Sequence, residues 1–317
     1  MHFAWDIFKQ SAPHNPHLAD FKQFDYFIEC LKSKQSFHVA RYNDGEWIVA
    51  LKIEPHYTHC VKAHGHNFRE VGDISQKMLA VIDSRPPYFI GIDSTTLSLT
   101  GSILLAKDVF LEKIKPLKVV YGEIFNAATV MFGIDALVKP LLDRWVVTVG
   151  PDYMKKLKIS ENHVTVPLYN CWNQAEEVQN QINALLSCNL DQKPVVVYSC
   201  SLLAKWLVDV FYKKFGENIT QVDIGSCIDP WCGIVSRPWH DALLKTYGLR
   251  NKSLKPGQHE YPQYGYTKSI ALSRSLPPSL PPKVIQVNPK SQRDPNAPIV
   301  LPASISTGRP APRSGFK

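Results

Sequence analysis

Seven short runs rich in β-branched and aromatic residues punctuate the first 250 positions. They are FHVARY (37–42), YFIGI (88–92), LKVVYG (117–122), RWVVTVG (144–150), HVTVPL (163–168), PVVVYSC (194–200) and TQVDIG (220–225). They show little polar alternation, as expected of strands covered on both faces. Between them, apolar positions recur at helical spacing over 18–33, about 69–84, 172–188 and 201–215. Strands separated by helices in this order predict an α/β domain with a mostly parallel sheet and helices on both faces. No internal repeat interrupts the alternation.

After residue 250 the pattern changes. Half of the 24 prolines follow position 255, in PPSLPP, NPK, DPNAP and GRPAPRSG. Such a stretch buries too little apolar surface to offset its ordering entropy. The sequence thus divides into a single domain over 1–250 and a Pro-rich, basic, disordered tail over 251–317. The net charge of +8 belongs to that tail, which carries ten Lys/Arg against two Asp/Glu, while the rest of the chain is balanced. A neutral body argues against a nucleic-acid-binding fold and leaves the tail as the part that could meet a protein or an acidic polymer.

With 44% hydrophobic residues the body can bury a core. The opening MHFAWDIFKQ is too short and too charged for a signal peptide. The most apolar segment, VVVYSCSLLAKWLVDVF, is interrupted by Lys205 and Asp209, so no transmembrane segment is expected. The seven cysteines include no CxxC and mostly lie in apolar runs, which reads as buried, reduced thiols in a cytoplasmic protein. Cys60, His64 and His66 have metal-like spacing but lack a fourth ligand.

Ligands of parallel α/β sheets bind at the carboxyl ends of the strands, and there the sequence becomes polar. Asn43-Asp44-Gly45-Glu46 ends the first run. Asp93 follows the second, Ser199 and Ser201 flank Cys200 after the sixth, and Asp223 and Gly225 close the last, with Asp229 beyond it. Asp44 and Glu46 are hard oxygen ligands around a turn-permitting glycine, suited to Mn²⁺ or Mg²⁺ on a diphosphate. They equally suit the first turn of a helix. Ser199 and Ser201 precede a helix whose free N–H groups could receive phosphate, although neither GxxxxGK[ST] nor GxGxxG is present. Asp223 or Asp229 could serve as a general base or bind a sugar hydroxyl.

Four segments together resemble a known family. RYNDGEW is similar to the R-[FY]-G-D-G-E signature of the GT-D type glycosyltransferases, once known only as a domain of unknown function. DRWVVTVG, VPLYNCWNQAEEV and VVVYSCSLLAKWLVDVFYKKFG…QVDIG resemble further elements of it, in order, over about 36–232. The resemblance implies a Rossmann-like, metal-dependent enzyme that moves a sugar from a nucleoside diphosphate sugar, UDP-sugars being favoured, to a hydroxyl of a glycan or glycoprotein acceptor. It implies metal ligation and donor diphosphate contact by Asp44 and Glu46, with Arg41 in the matching place. Ser199 and Ser201 at the helix start are the further diphosphate candidates, and Asp223 and Asp229 the catalytic ones. The chain departs from the pattern at Asn43, where the family has glycine, and at Cys200-Ser201, where it often has Gly-Pro. It departs again after Gly225, where a His and an acid are replaced by Ser226-Cys227-Ile228-Asp229. The alternatives are a non-catalytic module of the same fold and another Rossmann-like transferase such as a methyltransferase, which would need a glycine-rich first loop and a ribose-binding acid after the second strand.

If the tail supplies the affinity for an acidic polymer, deleting 255–317 should abolish that binding together with its salt dependence, as read by titration against heparin at increasing ionic strength.

Overall fold

A computed structural model describes residues 21–53, 72–97, 101–168, 170–237, 240–241 and 243–244. The tail over 251–317 and the Cys60/His64/His66 group lie outside the described residues. Seven strands form one sheet: β1 (His38–Arg41), β2 (Phe89–Ile92), β3 (Lys118–Tyr121), β4 (Val146–Gly150), β5 (Asn162–Thr165), β6 (Val195–Tyr198) and β7 (Thr220–Asp223). Their spatial order is β3-β2-β1-β7-β6-β4-β5, and every pair runs parallel. All seven predicted strands are present, and the sheet is more uniformly parallel than the sequence required.

Among the described residues the α-helices are α1 (Phe21–Ser33), α2 (Asp44–Leu51), α3 (Gly72–Asp83), α4 (Ser94–Leu97), α5 (Lys107–Ile114), α6 (Ile124–Phe132), α7 (Asp135–Leu142), α8 (Ala175–Ser187) and α9 (Leu202–Phe215). Of these, α1, α3, α8 and α9 fall where the helical spacing predicts them. The sequence reading does not mark α2, α4, α5, α6 and α7 as helices. Six of the eight residues of α2 are buried, which erases the polar face that periodicity needs. Seven of the nine of α6 are buried, and so short and apolar a run reads as readily as a strand. In α7 Pro140 interrupts the expected pattern. No single described helix is long and apolar enough to cross a membrane.

Alternation along the strands builds two cores, one on each face of the sheet. Val39, Val146, Val195, Val197 and Val222 join Phe27 and Leu31 of α1 and Phe125 and Leu137 of α6 and α7. Ala40, Ile90, Val147, Val196 and Tyr198 join Trp47 of α2, Met78 of α3, Ile182 of α8 and Leu207 of α9. β1 and β7 therefore lie mid-sheet with both faces covered. The chain runs outward from β1 through β2 to β3, then crosses to β4 on the far side of β7. The carboxyl ends of β1 and β7 thus flank the point where strand order reverses, the usual ligand crevice of such sheets.

His38, 2% exposed on β1, lies 3.0 Å through Nδ1 from Gln221 Nε2 on β7. Burial pushes its pKa from 6.5 down to about 4, against the pull of Glu217. The folded chain therefore resists a proton that the unfolded chain accepts, and stability is lost as pH falls from 6.5 towards 4. The loss is on the order of 3 kcal/mol. Urea unfolding across this window should show a shallower pH dependence in His38→Gln than in the wild type.

Candidate active site

At the switch point, strand ends and helix starts converge on a buried network of charge. Arg41, the last residue of β1 and 6% exposed, donates its backbone N–H to Asp223 Oδ2 at 3.1 Å. Its guanidinium donates through Nε to Gly122 O at 2.6 Å and through Nη2 to Glu123 Oε1 at 2.7 Å. Burial opposes this cation, but the carboxylates of Glu123, Asp223 and Glu46 hold its pKa above the ordinary value. Asn43 Nδ2 also donates to Glu123 Oε1.

Asp223, the last residue of β7, is completely buried. Its Oδ1 accepts the Gly225 N–H at 3.1 Å, and its Oδ2 also accepts Lys205 Nζ at 2.9 Å. Gly225 has φ +54°, and a β-carbon there would fall 1.6 Å from Arg41 Nη1. The glycine of QVDIG is thus required twice: by the turn, and by the guanidinium lying against it.

Lys205 is the residue the sequence reading passed over. It lies in the first turn of α9, where helical side chains lean back towards the N-terminus. That lean carries Nζ to Glu46 Oε1 and to Asp223 Oδ2, each at 2.9 Å, and to Ser201 O at 3.1 Å. A cation at the positive end of a helix, 3% exposed, is unfavourable without partners. Burial pulls its pKa down, and Asp223 and Glu46 more than offset that. The available signal was a lysine inside the apolar run LLAKWLVDVF. Glu123, two residues past β3, was missed as well.

The structure divides the Asp-Gly-Glu pair. Asn43 and Glu46 form a capping box at the start of α2, with Glu46 Oε2 accepting the Asn43 N–H at 3.2 Å. Glu46 is 8% exposed and committed to the cap and to Lys205. Asp44 is exposed, and its Oδ1 accepts the Gly45 N–H at 2.7 Å. Its backbone N–H lies 3.4 Å from Oδ2 of Asp93, whose Oδ1 accepts the Thr96 N–H at 2.8 Å. Burial first, and then the charge of Asp44, push the Asp93 carboxyl up to about 7.

The other expected residues lie nearby with different partners. Ser199 extends the β6 ladder, its N–H donating to Val149 O at 2.8 Å. Ser201 occupies the N-cap of α9, yet its side chain does not cap the helix, and its backbone takes φ 52°, ψ −138°, a conformation that favours glycine. Asp229 is 3% exposed and holds two loops together, accepting Tyr153 Oη at 2.9 Å and Ser236 Oγ. Burial pushes it up to about 6, with those two hydrogen bonds opposing. Cys171, 188, 200, 227 and 232, with Cys30, are free thiols, and only Cys188 among them is exposed.

A hard divalent cation can be tested against this arrangement. Glu46, Glu123 and Asp223 are paired with Arg41 and Lys205, and Asp44 and Asp93 adjoin one another at the ends of β1 and β2, an excess of acid that favours a cation. Among the described residues no group of three or more His, Cys, Asp or Glu side chains could hold one by itself. Mg²⁺ and Mn²⁺ do not require such a cage, since one or two carboxylates with phosphate oxygens and water suffice. The exposed Asp44 fits that mode with a nucleotide present.

No family model matches the chain, and no curated protein matches it. Among solved structures, one described as the selenomethionine-substituted domain of unknown function 1792 is 11% identical with a TM-score of 0.43, over 64% of this chain and 77% of that one. This chain is similar to that domain. A second structure, described as showing that the highly conserved domain of unknown function 1792 has a distinct glycosyltransferase fold, is 9% identical with a TM-score of 0.44 over the same shares. The residue assignments in the site rest on the geometry above.

Gly225→Ala should displace the Arg41 guanidinium and strain the turn, destabilising the protein by about 1–3 kcal/mol in urea unfolding. Ser201→Gly, which relieves a backbone unsuited to serine, should leave stability unchanged or raised in the same measurement.

Proposed function

We propose that this protein is a metal-dependent glycosyltransferase that moves a sugar from a nucleoside diphosphate sugar, UDP-sugars first, to a hydroxyl of a glycan or glycoprotein acceptor. The observation that carries the reading is the acidic cluster at the carboxyl ends of β1, β2 and β7. It lies at the strand-order reversal and presents an exposed Asp44 beside Asp93. A diphosphate brought to this edge would meet repulsion from the carboxylates unless a cation came with it. Mn²⁺ or Mg²⁺ would supply charge neutralisation of the leaving diphosphate.

Asp44 is the side chain proposed to hold that ion. Arg41 and Lys205, both buried and paired, would act by fixing Asp223, Glu123 and Glu46, not by touching the donor. The loop around Ser199 and Ser201, entering α9, is proposed to border the diphosphate. A methyltransferase reading gains Asp93 as an acid after β2. It lacks the glycine-rich first loop, because the chain passes from Asn43 directly into α2.

Calorimetric titration of UDP, GDP, CMP and their sugars, with and without Mn²⁺, tests the proposal. One nucleoside diphosphate should bind in the micromolar to millimolar range only with metal, and Asp44→Ala should weaken it by about tenfold or more. Binding that ignores both the metal and Asp44 would sink the transferase and favour a non-catalytic module.

A further inference from the structure

Lys205 Nζ lies 2.9 Å from a carboxylate oxygen of Glu46 and 2.9 Å from one of Asp223, with Ser201 O at 3.1 Å. These three oxygens converge on one buried point from α2, β7 and the start of α9. Hard oxygens gathered around a positive charge make the surroundings of a cation, and here the cation is covalently part of the chain. Nothing in the sequence pairs Lys205 with either acid, and the Asp-Gly-Glu spacing alone would give Glu46 to a metal.

We propose that Lys205 is the resident cation of the site. It fills, on Glu46 and Asp223, the place a divalent metal would otherwise take, and it leaves Asp44 as the metal-contacting member of the Asp-Gly-Glu pair. Glu46 is then a positioning residue. Its Oε2 closes the cap of α2 while its Oε1 holds Lys205, and Lys205 in turn holds Asp223 against the Arg41 backbone. The part played by Asp44 rests on the transferase reading, whereas the part played by Lys205 does not.

The two parts separate experimentally. In metal-free protein, Lys205→Met takes from Glu46 and Asp223 the ammonium that contacts both, leaving the Arg41 guanidinium as the nearby positive charge, and the melting temperature should fall. Millimolar Mn²⁺ alone should then raise that temperature by at least about 5 °C more than it raises the wild type, because the vacated oxygens can take the ion. Lys205→Arg should not acquire this response. A Lys205→Met protein that responds to Mn²⁺ no more than the wild type does would overturn the proposal.

Should Lys205→Met yield no folded protein with or without Mn²⁺, Glu46→Gln decides. Its affinity for Mn²⁺ in the presence of UDP, followed by the paramagnetic resonance of free Mn²⁺, should fall by less than about threefold, against tenfold or more for Asp44→Asn. A tenfold loss in Glu46→Gln at an unchanged melting temperature would make Glu46 a metal ligand and overturn the assignment. If wild-type protein binds no nucleotide with metal, the transferase reading fails, and the Mn²⁺ response of Lys205→Met still decides the role of the lysine.

Discussion

A lysine ammonium buried at the positive end of a helix is tolerated only if the rest of the fold brings negative charge to it, and this fold brings two carboxylates. Glu46 arrives from the first turn of α2 and Asp223 from the last residue of β7, each 2.9 Å from Lys205 Nζ. Removing one member of such a buried set typically costs about 3–5 kcal/mol, a large part of the roughly 5–15 kcal/mol by which a domain is folded. The constraint therefore reaches beyond the site. It fixes how α9 sits over β7 and how α2 leaves β1. It also fixes the register of β1 on β7, through the Arg41 N–H to Asp223 contact at 3.1 Å.

The parallel sheet makes this gathering possible. With β1 and β7 adjacent and every strand running the same way, all carboxyl ends open on one edge. Arg41, Asp93, Glu123 and Asp223 therefore meet without any long loop. The two cores hold the strands from both faces, so the polar edge is carried by a rigid support. Small residues at the edge complete the fit. Gly122 lies so close to Asn43 Oδ1 that a β-carbon would come within 2.6 Å of it, and Gly225 gives way to the Arg41 guanidinium.

The strands were legible because buried parallel strands announce themselves as uninterrupted β-branched runs, and α1, α3, α8 and α9 because each keeps one wet face. Helix α6 was not, since a short, largely apolar run with seven of its nine residues buried reads as readily as a buried strand. The candidate site was half legible. Strand-end polarity pointed to Asp44, Glu46, Asp93 and Asp223, and the family resemblance to Arg41; the fold brings all five to one edge. What the sequence could not show is which charge answers which. Lys205 and Glu46 meet only through tertiary structure, and Glu123 comes from a third strand end. Asp229 looked like a catalytic candidate from its position after β7, yet its carboxylate is turned inward to Tyr153 and Ser236.

The division within Asp44-Gly45-Glu46 follows from helix geometry. Two residues apart on a strand they would face opposite ways, and around a free turn they could converge. In the first turn of a helix they are separated by about 200° of rotation. The chain enters α2 at Asp44, so Glu46 rotates inward to the N-cap and to Lys205 while Asp44 stays at the mouth. Acid is favourable at both positions because both lie at the positive end of α2. One short motif thereby serves two purposes that usually compete. Its inner carboxylate stabilises the fold through a buried cation, and its outer one lies at the surface, where a ligand can reach it.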